Sequence, residues 1–394
     1  MITKNHLILL LFSLLFFPTI NVLGQSFNEK VTNSKKTWML GPFRRPSGVN
    51  PIISPLESQF FCPMNQKMIK WEEGATFNPA AVLKDGKIVV LYRAEDNTVI
   101  GIGKRTSRIG YAESENGVNV SRQGTPVLYP EKDKFTSLDW HGGCEDPRVV
   151  VTQSGLYVML YTGWNRDNPK GESNTPRLCV ATSRDLKHWT KHGLAFGKAN
   201  GGKFKYLECK SASIVTKVQN GKIIVAKVNG HYFMYWGEKA VCAAYSDDLI
   251  NWTPLLDKQG NLLKLVTPRK GYFDSQLTEC GPPALMTKDG IILIYNGKNS
   301  STGDGDPNYP RGTYAAGQIL FDKDNPCKMI DRLDYPFFWP EEDFEKSGQY
   351  PDGTVFTEGL VYQKGSLFLY YGCADSFVAV ATCKNDLRVK LNDK

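Results

Sequence analysis

Asn78-Pro79-Ala80-Ala81-Val82-Leu83-Lys84-Asp85-Gly86-Lys87-Ile88-Val89-Val90-Leu91-Tyr92 reads as strand, tight turn, strand. Two apolar runs rich in β-branched residues flank Asp85-Gly86, a dipeptide suited to the positive φ of a hairpin turn. The shape recurs. It returns at Pro147, where Val149-Val150-Val151 turns through Ser154-Gly155 into Leu156 to Tyr161. A copy begins at Ser211, with Asn220-Gly221 and Asn229-Gly230 as candidate turns. Another begins at Pro283 and turns through Asp289-Gly290, and a last one begins at Gly359 and turns through Lys364-Gly365. Third strands follow: Ile109-Gly110-Tyr111-Ala112, Leu178-Cys179-Val180-Ala181 and Val241-Cys242-Ala243-Ala244 are near-copies, and Tyr314-Ala315-Ala316-Gly317 and Val378-Ala379-Val380-Ala381 occupy the same slot.

From 79 to 147, 211, 283 and 359 the steps are 68, 64, 72 and 76 residues. Each is long enough for a four-stranded sheet with loops, and five such sheets predict an all-β, five-bladed β-propeller, an architecture that protects strand edges by radial repetition. Two packed sandwiches are the alternative, but five copies divide badly between two domains. Residues 25–75 are expected as an N-terminal extension across the disc and 319–356 as an insertion before the last blade, all within one catalytic domain over 25–394.

Residues 1–24 read as a secretory signal: Lys4, an apolar run from Leu7 to Phe17, and Val22-Leu23-Gly24 before Gln25. The run is short for a membrane span, so an exported protein, periplasmic or extracellular, is expected without stable membrane insertion. An uncleaved anchor is the alternative. The 48 basic and 40 acidic residues give a formal net charge of +8 but are scattered, which argues against a nucleic-acid partner. Nine cysteines, an odd number without close pairing, do not suggest a disulfide framework. No Cys/His cluster suggests a metal.

In a radial arrangement the innermost strands begin near a shared axis. Their first residues are Asn78, Asp146, Lys210, Glu279 and Glu358, a polar ring suited to ligand binding. Asp146 lies in His141-Gly142-Gly143-Cys144-Glu145-Asp146-Pro147-Arg148, where glycines and a proline constrain the turn that presents it. A strand turn with a surface salt bridge is the bland reading of that stretch. Trp140, Trp164 and Trp236 are candidates for stacking on a sugar, or for core packing.

These residues resemble glycoside hydrolase family 130, five-bladed propellers that include β-mannoside phosphorylases and β-mannosidases. The carrying segments are Asn78-Pro79-Ala80, Leu91-Tyr92-Arg93-Ala94, Gly142 to Arg148, Glu279-Cys280-Gly281-Pro282-Pro283-Ala284 and Tyr370-Tyr371-Gly372-Cys373-Ala374-Asp375. The resemblance implies an inverting enzyme acting on a terminal β-linked mannosyl unit of an oligosaccharide. Asp146 is implied as catalytic acid, passing its proton through a sugar hydroxyl. Asn78, Arg93 and Asp375 are implied as mannose-holding residues, with Asp306 a looser match. Neighbouring carboxylates are expected to let Asp146 keep its proton near neutral pH, provided Arg148 points elsewhere. Arg148 and Lys210 are carried as further substrate-binding candidates.

The attacking group divides the family. Phosphorolysis needs cations to hold inorganic phosphate; Arg148, Arg166, Arg177 and Lys210 are candidates. Hydrolysis needs a carboxylate to deprotonate water; Glu238 and Glu279 are candidates. The resemblance implies a phosphate-binding histidine in phosphorylases where this chain has Tyr235-Trp236-Gly237-Glu238, with His231 at the preceding turn. That departure and the expected export favour hydrolysis over phosphorolysis, and neither mechanism requires a metal or organic cofactor. A non-catalytic carbohydrate-binding propeller and a propeller glycosidase acting on other sugars are the remaining readings.

Overall fold

The repeated stretches fold as antiparallel strands, and their turn residues show why. Asp85-Gly86, Asn220-Gly221, Asn229-Gly230 and Lys364-Gly365 all take positive φ at both positions, the two-residue turn whose twist matches that of the strands it joins. The computed structural model describes residues 36–99, 101, 103–166 and 176–384; the signal expected over 1–24 lies outside them. From Trp38 onward the described chain forms one unit.

That unit is all-β. The first repeat pairs Ala75–Lys84 with Lys87–Glu95 and then Ser107–Ser114. The second pairs Gly143–Val151, Tyr157–Trp164, Pro176–Ser183 and Thr190–Leu194. In the third, both candidate turns form: Asn220-Gly221 joins Ala212–Gln219 to Lys222–Val225, and Asn229-Gly230 joins Lys227–Val228 to His231–Trp236, which pairs back on Ala212–Gln219. In the fourth, Gly290–Lys298 pairs with Leu277–Cys280, Ala284–Thr287 and Tyr314–Phe321. The last comprises Val355–Gln363, Ser366–Cys373 and Phe377–Lys384.

Two expectations about the flanking segments are refined. Residues near Arg44 and Ile53 bridge to Thr382 and Val378, along the outer strand of the last repeat, and Leu56–Cys62 with Lys67–Glu72 forms a separate hairpin. Of the insertion, Met329–Arg332 is the outer strand of the fourth repeat.

Apolar side chains collect between neighbouring repeats. One core joins the second and third repeats through residues such as Leu160, Ile214 and Met234. Another joins the last to the first through Tyr370, Val380, Val90 and Tyr92. First strands also meet directly: Val215–Lys217 runs parallel to Ala284–Met286, and a Cβ at Gly359 would stand 2.9 Å from the backbone of Ala81 and of Pro79. The recurrent tyrosines are packed against recurrent glycines. A Cβ at Gly110 would lie 2.4 Å from the Tyr92 ring, and one at Gly317 2.5 Å from that of Tyr295. The buried hydroxyls find acceptors, as Tyr92 does at Glu72 (2.7 Å) and Tyr370 at the Gly117 carbonyl (2.7 Å), which avoids the penalty of an unpaired buried donor.

Candidate active site

At the start of three first strands the ladder slips. The register shifts between Phe77 and Pro79, between Glu145 and Arg148, and between Thr357 and Gly359. These are bulges, which re-aim side chains. Asn78 (φ 46°) and Asp146 (φ 48°) occupy the left-handed region directly before prolines, and Ser211 (φ 60°) does so after Lys210. That conformation costs a residue with a side chain roughly 1–2 kcal/mol, so the surroundings must hold it.

The strained residues meet. Asn78 Nδ2 donates to Asp146 Oδ1 at 2.8 Å, joining the first repeat to the second. Arg93 Nη1 donates to the same oxygen at 3.0 Å. Arg93 Nη2 donates to Glu145 (2.8 Å) and Glu95 (2.7 Å), and its Nε to Ser107 Oγ (3.0 Å). Across the site Lys210 Nζ stands 3.5 Å from Glu238 Oε1 and 3.7 Å from Glu279 Oε1, and the Ser211 hydroxyl donates to Glu279.

These groups enclose a cavity of about 290 Å³, lined by Asn78, Arg93, Glu145, Asp146, Lys210, Glu279 and Asp375 together with Phe77, Glu95, Gly103, Trp164, Tyr314, Gln349, Tyr350, Thr354 and Phe356. Gly372, in the segment ending at Asp375, leaves room for Asn78, whose Oδ1 is 2.4 Å from where a Cβ would sit. Gln349 Nε2 donates to the Asp375 carbonyl at 2.8 Å while Arg105 donates to Gln349 Oε1 at 2.5 Å, so the loop before the last repeat forms part of the wall.

Electrostatics separate the carboxyl groups. Burial alone would raise Asp146, but Arg93, Lys210 and Arg148, with the Asn78 hydrogen bond, outweigh it and hold the carboxyl below its ordinary value. The expectation that Asp146 keeps its proton near neutrality is therefore corrected: these cations favour its anionic form. Its neighbour Glu145 is pushed up to about 8 by burial, against the pull of Arg93 and with the push of Asp146. Burial raises Glu279 to about 7, with Lys210 opposing and Glu238 adding to it. Asp375 rises to about 6, again chiefly through burial.

Other expected residues lie elsewhere. Arg148 is corrected as a sugar contact: it is 2% exposed, does not line the cavity, and donates to the carbonyls of Asp146 and Cys280. Asp306 is also corrected. Its Oδ1 accepts from the backbone and side chain of Asn308 (2.9 and 2.7 Å), and it belongs to a loop organised around Asn299 rather than to the lining. Arg166 lies behind the wall, donating to the Gly103 carbonyl (3.0 Å), and Arg177 sits 5.4 Å from the Tyr206 ring; neither lines this cavity. Glu238 reaches it through Lys210. Glu358 is fully buried beside Arg148 (2.8 Å). Of the tryptophans, Trp164 lines the cavity, Trp236 packs on Phe196, and Trp140 lines a recess with His141 and Arg166. Glu95, Gln349 and Tyr350 were missed because no repeat position marks them. Among the described residues no group of His, Cys, Asp and Glu is placed to hold a metal ion.

A family model for β-1,4-mannooligosaccharide phosphorylase, of glycoside hydrolase family 130, matches residues 50–393. A 1,2-β-oligomannan phosphorylase of Thermoanaerobacter sp. (strain X514) is 32% identical over 79% of this chain and 90% of its own. A solved glycosyl hydrolase from Bacteroides ovatus is 59% identical, with a TM-score of 0.86 over 89% of this chain and 95% of that one. Another solved structure, 57% identical with a TM-score of 0.86 over 90% of this chain and 99% of its own, is described by the statement that the GH130 family of mannoside phosphorylases contains glycoside hydrolases that target β-1,2 mannosidic linkages in Candida mannan. With its bulged acidic strands and the family match spanning most of its length, this chain belongs to glycoside hydrolase family 130.

Proposed function

We propose that the chain is an inverting β-mannosidase that removes a terminal β-1,2-linked mannosyl unit by hydrolysis. Its five repeats close as propeller blades around the cavity, a reading supported by the cores between successive repeats and between the last and the first. One observation carries the choice of nucleophile: five carboxyl groups (Glu95, Glu145, Asp146, Glu279, Asp375) line the cavity against two cations, Arg93 and Lys210. Each like-charge contact at 4 Å costs about 4 kcal/mol at an effective dielectric constant near 20. Lys210 already stands between Glu238 and Glu279, and Asp146 is held toward its anionic form, so the cation a phosphate would need is shared with glutamates beside a carboxylate.

Inversion needs an acid on the leaving oxygen and a base on a water arriving from the opposite face. Glu279, with Glu238 beside it, is the base; a pKa near 7 lets it be ionised and still proton-accepting at neutrality. Asp146 is the acid. Arg93 holds both it and Glu145, and burial favours a proton on Glu145. A sugar hydroxyl that takes over donors of Arg93 and Asn78 frees Asp146 to receive that proton and pass it to the leaving oxygen. Water adds to the anomeric carbon as the glycosidic bond breaks, and its proton goes to Glu279. Asn78, Arg93 and Asp375 orient the mannose through directed hydrogen bonds. Residues 1–24 are proposed as an export signal, on Lys4 and the apolar run after it, and hydrolysis is proposed to take place outside the cytoplasm.

Phosphorolysis is the second reading, favoured by the names of the curated relatives, including a β-1,2-mannobiose phosphorylase 29% identical to this chain. The test is turnover of β-1,2- and β-1,4-mannobiose with and without inorganic phosphate. Free mannose at a phosphate-independent rate is expected. Mannose 1-phosphate formed only when phosphate is present would establish phosphorolysis instead.

A further inference from the structure

We propose that Arg148, held by Glu358, is the positioning residue that fixes the acid Asp146 relative to the base Glu279. The inference rests on the assignment of those two carboxyl groups given above. It starts from what the bulge leaves unsupported. The ladder pairs Glu145 with Thr162 and next pairs Arg148 with Leu160, so Asp146 and Pro147 have no partners across the strand. Pro147 has no N–H to offer, and Asp146 is in the left-handed region. Ordinary sheet hydrogen bonding therefore does not set the direction of the acid.

Arg148 does what the ladder cannot. Its Nη1 donates to the Asp146 carbonyl at 3.0 Å. Its Nη2 donates to the Cys280 carbonyl at 2.9 Å, one residue after Glu279, and its Nε to the Gly281 carbonyl at 3.4 Å. Nη1 also stands 2.8 Å from Glu358 Oε1, and the guanidinium lies 5.9 Å from the ring of Phe356, which lines the cavity. One planar, rigid group thus ties together the second, fourth and fifth repeats immediately behind the residues that carry the chemistry. The strand of Glu279 is paired with Gly290–Lys298 up to Cys280, and Arg148 meets it where Gly281-Pro282-Pro283 interrupts it before Ala284. Glu358, fully buried, is the side chain that faces the guanidinium, and burial raises its carboxyl well above its ordinary value against the pull of Arg148. Arg148 touches no part of the cavity, so it acts through the main chain of the groups that do and through its charge, which lowers the Asp146 and Glu279 carboxyls.

A buried ion pair could also serve only to hold the fold, and the double variant R148M/E358M separates the two roles. Replacing both partners by apolar side chains of similar volume is often neutral for stability, whereas removing one leaves a buried charge. The expected result is a folded variant, destabilised only by the carbonyls of Asp146, Cys280 and Gly281 that lose their donor. Its KM for β-1,2-mannobiose is expected within about threefold and its kcat down about 100-fold, the effect of roughly 1 Å of misplacement. Recovery of kcat along with stability would overturn the proposal. Should the double variant not fold, E358Q decides: it keeps the shape and loosens Arg148, and kcat is expected to fall about tenfold at unchanged KM, whereas full kcat overturns the idea. D146N assayed alongside shows whether the acid assignment itself holds, because normal turnover there would refute the site reading rather than the positioning pair.

Discussion

Arg93 and Arg148 differ little in burial, at 8% and 2% exposed, and both lie beside Asp146. They differ in what they bind. Arg93 donates to the side chains of Asp146, Glu145, Glu95 and Ser107. Arg148 donates to the carbonyls of Asp146, Cys280 and Gly281. Side-chain carboxylates can rotate and exchange a guanidinium for a sugar hydroxyl; main-chain carbonyls cannot without moving a strand. The first arginine is therefore built to trade partners and the second to keep them. Partner type, more than burial or charge, separates a ligand-facing cation from a scaffold one.

The largest effect is expected where the two arginines converge. Asp146→Asn keeps the main-chain contact to Arg148 and removes the transferable proton, so kcat/KM should fall about 10³-fold or more, read from mannose release. If activity survives, neither arginine frames a catalytic acid. Next, Arg93→Lys preserves the charge and loses the fork. Charge-assisted hydrogen bonds contribute about 1.5–3 kcal/mol each, so kcat/KM should drop about 10- to 100-fold with KM rising most, where the Arg148 pair changes kcat. Equal KM shifts in both would dissolve the contrast.

A pH–rate profile sharpens it further. Glu279 works as a carboxylate, which exists above its pKa, and burial has raised that pKa to about 7 with Glu238 contributing. Thus kcat/KM should decline as pH falls below about 7, up to tenfold per unit. Glu238→Gln removes a like charge, so this limb should move to lower pH; an unmoved limb would assign it to another group. The smallest effect concerns the frame alone. Gly110→Ala drives a Cβ to within 2.4 Å of the Tyr92 ring and should destabilise the fold by about 1–3 kcal/mol in a denaturant titration. Gly124→Ala, with nothing within 4 Å, should change stability by less than about 0.5 kcal/mol.

Much of the site was legible because it follows the repeat. Asn78, Asp146, Lys210 and Glu279 stand at matching positions, and all four line the cavity. Glu358 occupies the fifth such position and faces Arg148 instead, since the bulges there are similar but not identical. Glu95, Gln349 and Tyr350 stand where no repeat position marks them; Glu95 reaches Arg93 as its second neighbour along one strand face, whereas only folding brings Gln349 to Asp375. The protonation of Asp146 was misread for a related reason. Its neighbour in sequence is the acid Glu145, which suggests a retained proton, but its nearest charge in space is Arg93, 53 positions earlier.

By itself the sequence determined the five hairpin repeats, the turns that close them and the acidic motifs at the starts of their first strands, because strand period and turn chemistry are local. Tertiary structure alone decided which charges meet: that Arg93 holds Asp146 as an anion, that Lys210 lies between two glutamates, and that Arg148 faces carbonyls. Coulomb and hydrogen-bond energies depend on distances between residues far apart in the chain, and spacing along the chain does not contain those distances.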